Sequence, residues 1–318
     1  MVVCLYNTAP RAYLAEPLDG RDTVRRMLDY VRGLSTLTND DESLRILLYS
    51  TEEVDHPADW EYRGGPALTQ ARLTELLAEL SPQAEEEPIL FGFLDEPFLN
   101  LELTARMLDR HRKYRAEYTF SDGYPAGLGP ELLSSGAIGH LRALASETER
   151  VGRDGVFPIV AKDINRLDVE TELSRVDQRL LRLQLAVDTR PNLVLCKRLA
   201  EGAPVAIDEW PAHAAAHRSG HRTLPRFVSI QVLEQEIQRL SYSPYPTMRG
   251  DVLAPGALMT GEQFGELISA VAAFSPEAMV HLSLWGEIAL HPEIEALIDT
   301  VLATEGLRLL VETSGVGW

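Results

Sequence analysis

Residues 89–98 read Ile-Leu-Phe-Gly-Phe-Leu-Asp-Glu-Pro-Phe. An uninterrupted run of apolar residues and one glycine ends at two acids and a proline. A short apolar run bounded by a breaker is typical of a strand that is buried on both faces, so the sequence predicts a strand over Ile89–Leu94. In open sheets of parallel strands, ligands bind at the carboxyl ends of the strands. Asp95 is therefore the first candidate for a functional residue.

Similar strands alternate with amphipathic helices over the first 200 residues. The other predicted strands are Val2–Tyr6, Leu44–Ser50, Ala116–Phe120 and Phe157–Ala161. The predicted helices are Arg21–Leu34, Leu68–Leu80 and Leu101–Arg112. This alternation predicts βαβ units and a mostly parallel α/β sheet that is covered by helices on both faces.

A second series of alternating strands and helices follows a segment of different composition. Residues 203–224 contain two prolines and Trp210, so we predict a connector between a domain of residues 1–202 and a domain of residues 225–318. The elements predicted for the second domain are strands Phe227–Leu233, Met279–Leu284 and Leu307–Glu312 and helices Gly261–Phe274 and Pro292–Ala303. The last strand would be an apolar open edge, which natural proteins usually cover. We therefore expect the chain to be a fragment of a longer protein or a truncated relative.

Composition restricts the possible partners. The chain has 318 residues and is 45% hydrophobic, and 48 acids against 30 Lys and Arg give a formal charge of −18. This charge argues against nucleic acid and against an anionic membrane surface as partners. The amino terminus lacks the pattern of a signal peptide and no apolar run is long enough to span a membrane, so we expect a cytoplasmic protein. The two cysteines, Cys4 and Cys196, lie in apolar stretches and are expected to be buried.

The first domain resembles the sugar-nucleotide cytidylyltransferases, which have the GT-A (Rossmann-like) fold. The match consists of Asp95-Glu96-Pro97 after the central strand and of the string Val-Asp-Thr-Arg-Pro-Asn-Leu at residues 187–193. The resemblance implies that Asp95 and Asp188 hold Mg²⁺ at a nucleoside triphosphate. Two carboxylates and several waters suit that ion.

The loop after the first strand departs from this pattern. These enzymes use a glycine-rich loop with an arginine, in which backbone N–H groups surround the phosphates. Here residues 7–14 read Asn-Thr-Ala-Pro-Arg-Ala-Tyr-Leu, without a glycine, and Pro10 has no N–H to donate. Only Arg11 is left as a phosphate ligand, which puts catalysis in doubt.

The second domain resembles the start of a radical S-adenosylmethionine barrel. Residues 242–246, Tyr-Ser-Pro-Tyr-Pro, resemble the end of the loop that carries three cluster cysteines, and the three cysteine positions are occupied by Glu236, Leu240 and Ser243. Gly286-Glu287 matches the motif that contacts the amino group of S-adenosylmethionine. A four-iron–four-sulfur cluster needs thiolates, so we expect no cluster and no radical chemistry.

The order of these parts resembles that of the spiro-SPASM family, in which a GT-A domain precedes a radical S-adenosylmethionine barrel. The strings Tyr118–Pro125 and Asp168–Glu172 also fit that family. The resemblance implies radical enzymes that modify a peptide or a small molecule. The leading hypothesis is a degenerate member that binds a ligand, such as a nucleotide or nucleotide sugar, or a protein or peptide partner.

Several alternatives stay open. The chain could be an active Mg²⁺-dependent nucleotidyl- or glycosyltransferase that uses Asp95 and Asp188. It could be a radical enzyme whose cluster is held by other ligands, or a module that pairs through its last strand. His213, His217 and His221 are spaced for one helix face, which is compatible with Zn²⁺ but more often a solvated polar face. The acids Asp168, Glu170 and Glu172 alternate as on one face of a strand.

Overall fold

The strands of the first part of the chain form one large sheet. The computed structural model describes residues 1–37, 44–83, 87–239, 251–282 and 285–317. The chain forms two compact units, Met1–Thr223 and Leu224–Trp318. The strands of the first unit are β1 (Val2–Asn7), β2 (Arg45–Ser50), β3 (Glu61–Gly64), β4 (Ile89–Phe93), β5 (Tyr118–Asp122), β6 (Glu131–Leu133) and β7 (Val169–Leu173).

Within the described residues these seven strands are arranged in the order β3-β2-β1-β4-β6-β5-β7. All neighbours pair in parallel except β6, which is antiparallel to β4 and to β5. The prediction of a large, mostly parallel sheet is confirmed. Because Tyr6 of β1 pairs with Phe93 of β4, the residues that follow both strands emerge at the same edge of the sheet.

Helices cover both faces of this sheet. They are α1 (Arg11–Leu14), α2 (Thr23–Leu34), α3 (Gln70–Leu80), α4 (Leu101–Tyr114), α5 (Ser135–Leu144), α6 (Phe157–Val160), α7 (Arg190–Ala200) and α8 (Trp210–Ala216). Short 3₁₀ turns occupy Ser35–Leu37, Ser81–Gln83, Ala161–Arg166, Arg179–Leu181, Ile207–Glu209 and Arg218–His221. Asp22, Thr69, Asn100 and Thr189 each begin a helix and accept a backbone N–H with their side chains, which stabilises the helix start.

Two apolar layers result, one on each face of the sheet. Leu5 and Leu48 point into the layer beneath α2, α4 and α7, whereas Tyr6 and Leu47 point into the layer beneath α3 and α5. The strand β1, which lies next to the middle strand β4, is buried along its whole length, as is typical of a parallel strand with both faces covered.

The strand predicted at Phe157–Ala161 is wrong, because the segment forms the short helix α6. Pro158 lies in its first turn, where the missing N–H costs nothing. The Glu131 carboxylate accepts the backbone N–H groups of Val156 and Phe157 at 2.8 and 3.0 Å. An anion at a helix start stabilises the helix, and this long-range contact is invisible to local sequence patterns.

Residues 203–223 pack within the first unit. Ile207 and Trp210 are buried in the same layer as α2 and α4, and the Trp210 ring meets Phe98 edge to face at 5.5 Å. Arg106 of α4 donates to both carboxylate oxygens of Asp208 at 2.9 and 3.0 Å. The segment predicted as a connector therefore contributes side chains to the core of the first unit.

The second unit contains a small parallel sheet. Its described strands are β8 (Phe227–Ile230), β9 (Met279–Leu282) and β10 (Arg308–Val311), in the order β10-β9-β8. Helices α9 (Gly261–Phe274) and α10 (Ile294–Leu302) and a 3₁₀ turn at Ile288–Leu290 accompany them. Phe264, Ile268, Val280 and Leu297 form the centre of its core. The start of α9 has a capping box formed by Thr260 and Gln263, which satisfies two backbone donors.

Both cysteines are buried free thiols, as expected. Cys4 lies in β1 and Cys196 in α7. Burial raises the pKa of Cys4 to about 12 and also raises the pKa of Cys196, so neither thiol is reactive in the folded protein. None of the described helices has the length and apolar character required to cross a membrane.

Candidate functional site

Asp95 and Asp188 meet at the carboxyl edge of the large sheet. Asp95 follows β4 and is fully buried. Asp188 stands just before α7, and its neighbour Val187 donates a backbone hydrogen bond to the Asp95 carbonyl at 2.9 Å. The two carboxylates predicted from the sequence as a pair are thus brought together by the fold.

A guanidinium group lies between the two carboxylates. Arg153 donates from Nη1 and Nη2 to the two oxygens of Asp95 at 2.6 and 2.5 Å. Its Nε donates to Asp188 Oδ2 at 3.0 Å. The other Asp188 oxygen accepts a hydrogen bond from Asn192 at 2.7 Å. All four carboxylate oxygens therefore already accept an N–H group, three of them from one arginine.

The segment that carries Arg153 is held by a second buried acid. Glu131 of β6 accepts the two N–H groups at the start of α6 and the hydroxyl of Tyr118. Gly155 lies between Arg153 and α6 with φ of +54°, and an added Cβ would collide with the Glu131 carboxylate. The Arg153 guanidinium lies over the Phe93 ring, with its Cζ atom 4.8 Å from the ring centroid. Arg153 is consequently fixed by the turn beneath it and by the ring beside it.

A divalent metal ion at this position would compete with Arg153 for the oxygens of Asp95 and Asp188. Mg²⁺ requires near-octahedral oxygen coordination, and here a cation of the chain already takes the carboxylate oxygens. Over the described ranges, no group of three or more His, Cys, Asp or Glu side chains could hold a metal ion. A metal ion between Asp95 and Asp188 would have to displace Arg153 and leave its charge without these partners.

Burial controls the charge of the acids around Arg153. It raises the pKa of Asp95, and the bonds from Arg153 oppose that rise only in part. Burial also raises the pKa of Glu96 to about 8, where the positive charge of Arg153 lowers it and the negative charges of Asp95 and Glu131 raise it. The pKa of Glu131 rises to about 7 for the same primary reason. The site therefore contains more acid than its arginine can neutralise.

The loop after β1 has few donors left for a phosphate. The Ala9 N–H is taken by the side chain of Asn7 at 3.2 Å, and the Arg11 N–H by Glu52 at 3.1 Å. The Arg11 guanidinium, predicted as a phosphate ligand, instead pairs with both oxygens of Asp55 at 3.0 Å. Pro10 has no N–H. The carboxylates of Glu52 and Asp55 thus lie where the resemblance predicts a triphosphate.

A cavity of about 370 Å³ opens beside this site. Its walls come from the ends of β4 and β5, from residues 124–131 and from the turn of Arg153. Glu96 lines the cavity and is only 5% exposed. The cavity has the size of an ordinary small-molecule site. Sequence reasoning placed Asp95 here and named Glu96 only as part of the motif Asp95-Glu96-Pro97; it missed Arg153 and assigned no role to Glu131.

The other predicted polar clusters have structural partners. Glu170 and Glu172 of β7 both accept from Arg110 of α4 at 3.2 Å, so they anchor that helix. His213 donates to the Leu199 carbonyl and His217 to the His213 carbonyl, both at 2.9 Å. His221 lies beyond them, in a 3₁₀ turn.

Gly286 and Glu287 also have structural roles in the second unit. The Glu287 carboxylate accepts from the hydroxyls of Thr313 and Ser314 at 2.7 and 2.6 Å and from the Ser314 N–H at 2.7 Å. It thereby fixes the segment after β10. Gly286 lies against the Leu233 carbonyl, where an added Cβ would clash. Of the predicted cysteine positions, Glu236 is described, with a pKa raised by burial, whereas Leu240 and Ser243 lie outside the described residues.

Comparison with known proteins gives two relatives of undefined role. No family model matches the chain. An uncharacterized protein of Treponema pallidum (strain Nichols) is 27% identical over 165 residues, which is 51% of this chain and 44% of that protein. A second uncharacterized protein of the same organism is 33% identical over 78 residues, 24% of this chain and 36% of that protein. The chain spans less than half the length of these relatives.

Solved structures identify the fold. A cytidylyltransferase from Leptospira borgpetersenii aligns with a TM-score of 0.50 at 14% identity, over 69% of this chain and 94% of that chain. A 4-diphosphocytidyl-2C-methyl-D-erythritol synthase from Anaerococcus prevotii aligns with a TM-score of 0.43 at 15% identity, over 63% and 96% of the two chains. The first likeness shows that the aligned part of the chain has a cytidylyltransferase-like fold. Shared fold alone does not establish a shared reaction.

Proposed function

We propose that this chain is a metal-independent binding protein on a nucleotidyltransferase-like fold, which holds a small ligand in the cavity beside Glu96 and transfers no nucleotidyl group. The observation that supports this proposal is the guanidinium of Arg153 between Asp95 and Asp188. Nucleotidyl transfer depends on neutralising phosphate charge during the reaction. Here the positive charge of Arg153 is already paired with Asp95 and Asp188 and is not available to a phosphate.

Counting formal charges makes the same point. Two carboxylates and a divalent ion would sum to zero, whereas two carboxylates and one guanidinium leave one negative charge. Glu52 and Asp55 add further negative charge at the loop after β1, where they bind the backbone and side chain of Arg11. A triphosphate would be repelled from both places.

The experiment that tests this proposal is a calorimetric titration of the full chain with CTP and the other nucleoside triphosphates, with and without Mg²⁺. We expect no binding heat in either condition. Mg²⁺-dependent binding that disappears in Asp188→Asn would contradict the proposal. Glu75→Gln, which changes an exposed acid of α3, is the matched control for removal of a carboxylate.

A second candidate is the Mg²⁺-dependent nucleotidyl- or glycosyltransferase. It is favoured by the convergence of Asp95 and Asp188 at the carboxyl edge of the sheet, the edge at which ligands bind in such folds. This candidate requires Arg153 to leave both acids when the nucleotide arrives. It predicts that the same titration releases heat, and that Arg153→Ala binds the nucleotide more tightly than the unchanged chain does.

For the second unit we infer an absence of radical chemistry. Glu287, the residue matched to S-adenosylmethionine binding, already accepts hydrogen bonds from Thr313 and Ser314. Thiolate ligands are missing from the matched positions, and Glu and Leu do not replace them. Anaerobic reconstitution with iron and sulfide should leave the protein colourless. A stable brown protein with cluster absorption would instead support the alternative of other cluster ligands.

A further inference from the structure

We propose that the cavity beside Glu96 binds a small organic cation, an amine whose charged group meets the Glu96 carboxylate. This inference rests on the proposed function, because it requires Arg153 to stay between Asp95 and Asp188. It adds the chemical class of the ligand, which neither the fold nor the relatives specify.

Glu96 is the first reason. It directly follows Asp95, lines the cavity and is 5% exposed. In the described part of the chain no side chain forms a hydrogen bond or ion pair with its carboxyl group, because the nearby Arg153 is bonded to Asp95 and Asp188. A buried carboxylate without a counterion is strongly disfavoured, so near neutral pH the empty cavity holds Glu96 mostly as the neutral acid, with a raised pKa, and the group gives up its proton to solvent when a cation arrives. A ligand that supplies a positive charge would provide the missing partner.

The charge of the whole lining is the second reason. Its acids are Glu96, Asp122, Glu131 and Asp154, and its cations are Arg153 and Arg179. Both cations are already used by acids, since Arg179 pairs with Asp177 at 2.7 Å and with Asp122 at 3.2 Å. With both arginines paired, the acidic groups that remain in the lining give the cleft an excess of negative charge, and such a cleft concentrates ligands of the opposite sign. The cavity therefore favours cations and disfavours phosphates.

The aromatic walls are the third reason. Phe93, Phe120, Tyr124 and Phe157 line the same cavity, and the Phe120 and Phe157 rings lie 5.3 Å apart at 46°. Ring faces attract ammonium groups, and quaternary ammonium ligands are commonly bound in this way. Apolar walls next to an anionic end suit a ligand with a cationic group on a short organic body. A volume of about 370 Å³ leaves room for a small molecule of this kind.

The test uses choline and its neutral isostere 3,3-dimethylbutan-1-ol as probes on the full chain. Binding is followed by amide chemical shifts in NMR titrations at millimolar concentrations. We expect choline to shift resonances of cavity residues, and the neutral isostere to bind at least tenfold more weakly. Glu96→Gln should weaken choline binding by a similar factor and leave binding of the isostere unchanged, whereas Glu75→Gln should alter neither.

A second variant covers the case in which Glu96→Gln fails to fold. Phe120→Leu keeps an apolar wall and removes one ring face, so it should weaken choline binding more than binding of the isostere. Equal binding of both probes, or no shift with choline, would overturn the inference. Either result with no CTP binding leaves the proposed function standing. Mg²⁺-dependent CTP binding lost in Asp188→Asn would overturn the proposed function itself, whatever choline does.

Discussion

At the scale of single residues, Arg153 decides what the carboxylate pair can bind. Arg153→Ala would leave Asp95 and Asp188 facing each other without a cation. Removing one partner of a buried ion pair costs about 3 kcal/mol of stability. Oxygen ligands with spare negative charge bind divalent cations. The variant should therefore be less stable than the unchanged chain, and Mn²⁺ should restore part of the loss.

Mn²⁺ electron paramagnetic resonance and melting temperatures would measure both effects. The control is Arg72→Ala, which removes an exposed arginine that pairs with Glu75 on α3. We expect no Mn²⁺ binding in that control or in the unchanged chain. A folded Arg153→Ala protein that binds no Mn²⁺ would show that the two acids do not form a cation site even when they are free.

The burial of Glu96 predicts how the stability of the protein changes with pH. Its pKa rises from the ordinary value of 4.5 to about 8 in the folded protein, because burial disfavours the charged form. A folded state with the higher pKa binds more protons than the unfolded state, so stability falls as the pH rises between about 4.5 and 8. Glu96→Gln removes this loss. Relative to the unchanged chain, the variant should gain on the order of 3 kcal/mol between pH 5 and pH 8.

Urea unfolding of both proteins at pH 5 and pH 8 measures this difference. The same dependence on pH in Glu96→Gln and in the unchanged chain would mean that Glu96 does not carry the shift. Glu75→Gln again serves as the control for an exposed carboxylate.

Half of the candidate site could be predicted from the sequence. Asp95 was predictable because a buried strand ends there, and ligand sites lie at strand ends. Arg153 was not, since it lies 58 residues from Asp95 and 35 from Asp188 along the chain. Ion pairs over such distances leave no periodic pattern. The cavity that Glu96 lines is likewise walled by residues of β5 and β6, which lie later in the sequence.

At the scale of elements, the turn between Arg153 and α6 depends on Gly155. Gly155→Ala would place a Cβ against the Glu131 carboxylate at a φ of +54° that side chains rarely adopt. We expect a loss on the order of 2 kcal/mol in unfolding free energy. The matched control is Gly152→Ala in the same turn, where an added Cβ meets no atom within 4 Å. Equal stability of both variants by urea unfolding would refute the role of the turn.

Helices and strands with a strong local sequence pattern could be predicted. Those whose conformation depends on contacts with residues distant in sequence could not. The strand β1 and the helix α4 appear where the apolar run and the helical spacing placed them. The helix α6 was mistaken for a strand, because its apolar residues carry no sign of the Glu131 carboxylate at its start. The antiparallel β6 has only three residues, too few for a period to be recognised.

At the scale of the whole molecule, the first unit should fold without the second. A fragment of residues 1–223 retains the core side chains Ile207 and Trp210, whereas a fragment of residues 1–202 lacks both. Loss of a buried tryptophan alone costs about 3–5 kcal/mol. We therefore expect the longer fragment to unfold cooperatively in urea and the shorter one to be much less stable.

Trp210→Ala in the full chain is the matching substitution, and it should destabilise the first unit by a comparable amount. Equal urea midpoints for the two fragments would show that residues 203–223 add nothing to the core. The sequence pattern could locate the restart of the α/β rhythm near residue 226, but not the packing of the preceding segment. That packing depends on Phe98 and Arg106, about 100 residues earlier.

The labelling rate of the two buried thiols measures how often the first unit opens. Cys4 and Cys196 lie in the first unit, on β1 and on α7, and in the described residues the second unit contains no cysteine. A thiol reagent can modify them only after that unit opens, so the labelling rate in water reports its opening frequency. The unmodified protein thus carries two thiols whose labelling reports fluctuations of the first unit and not those of the second.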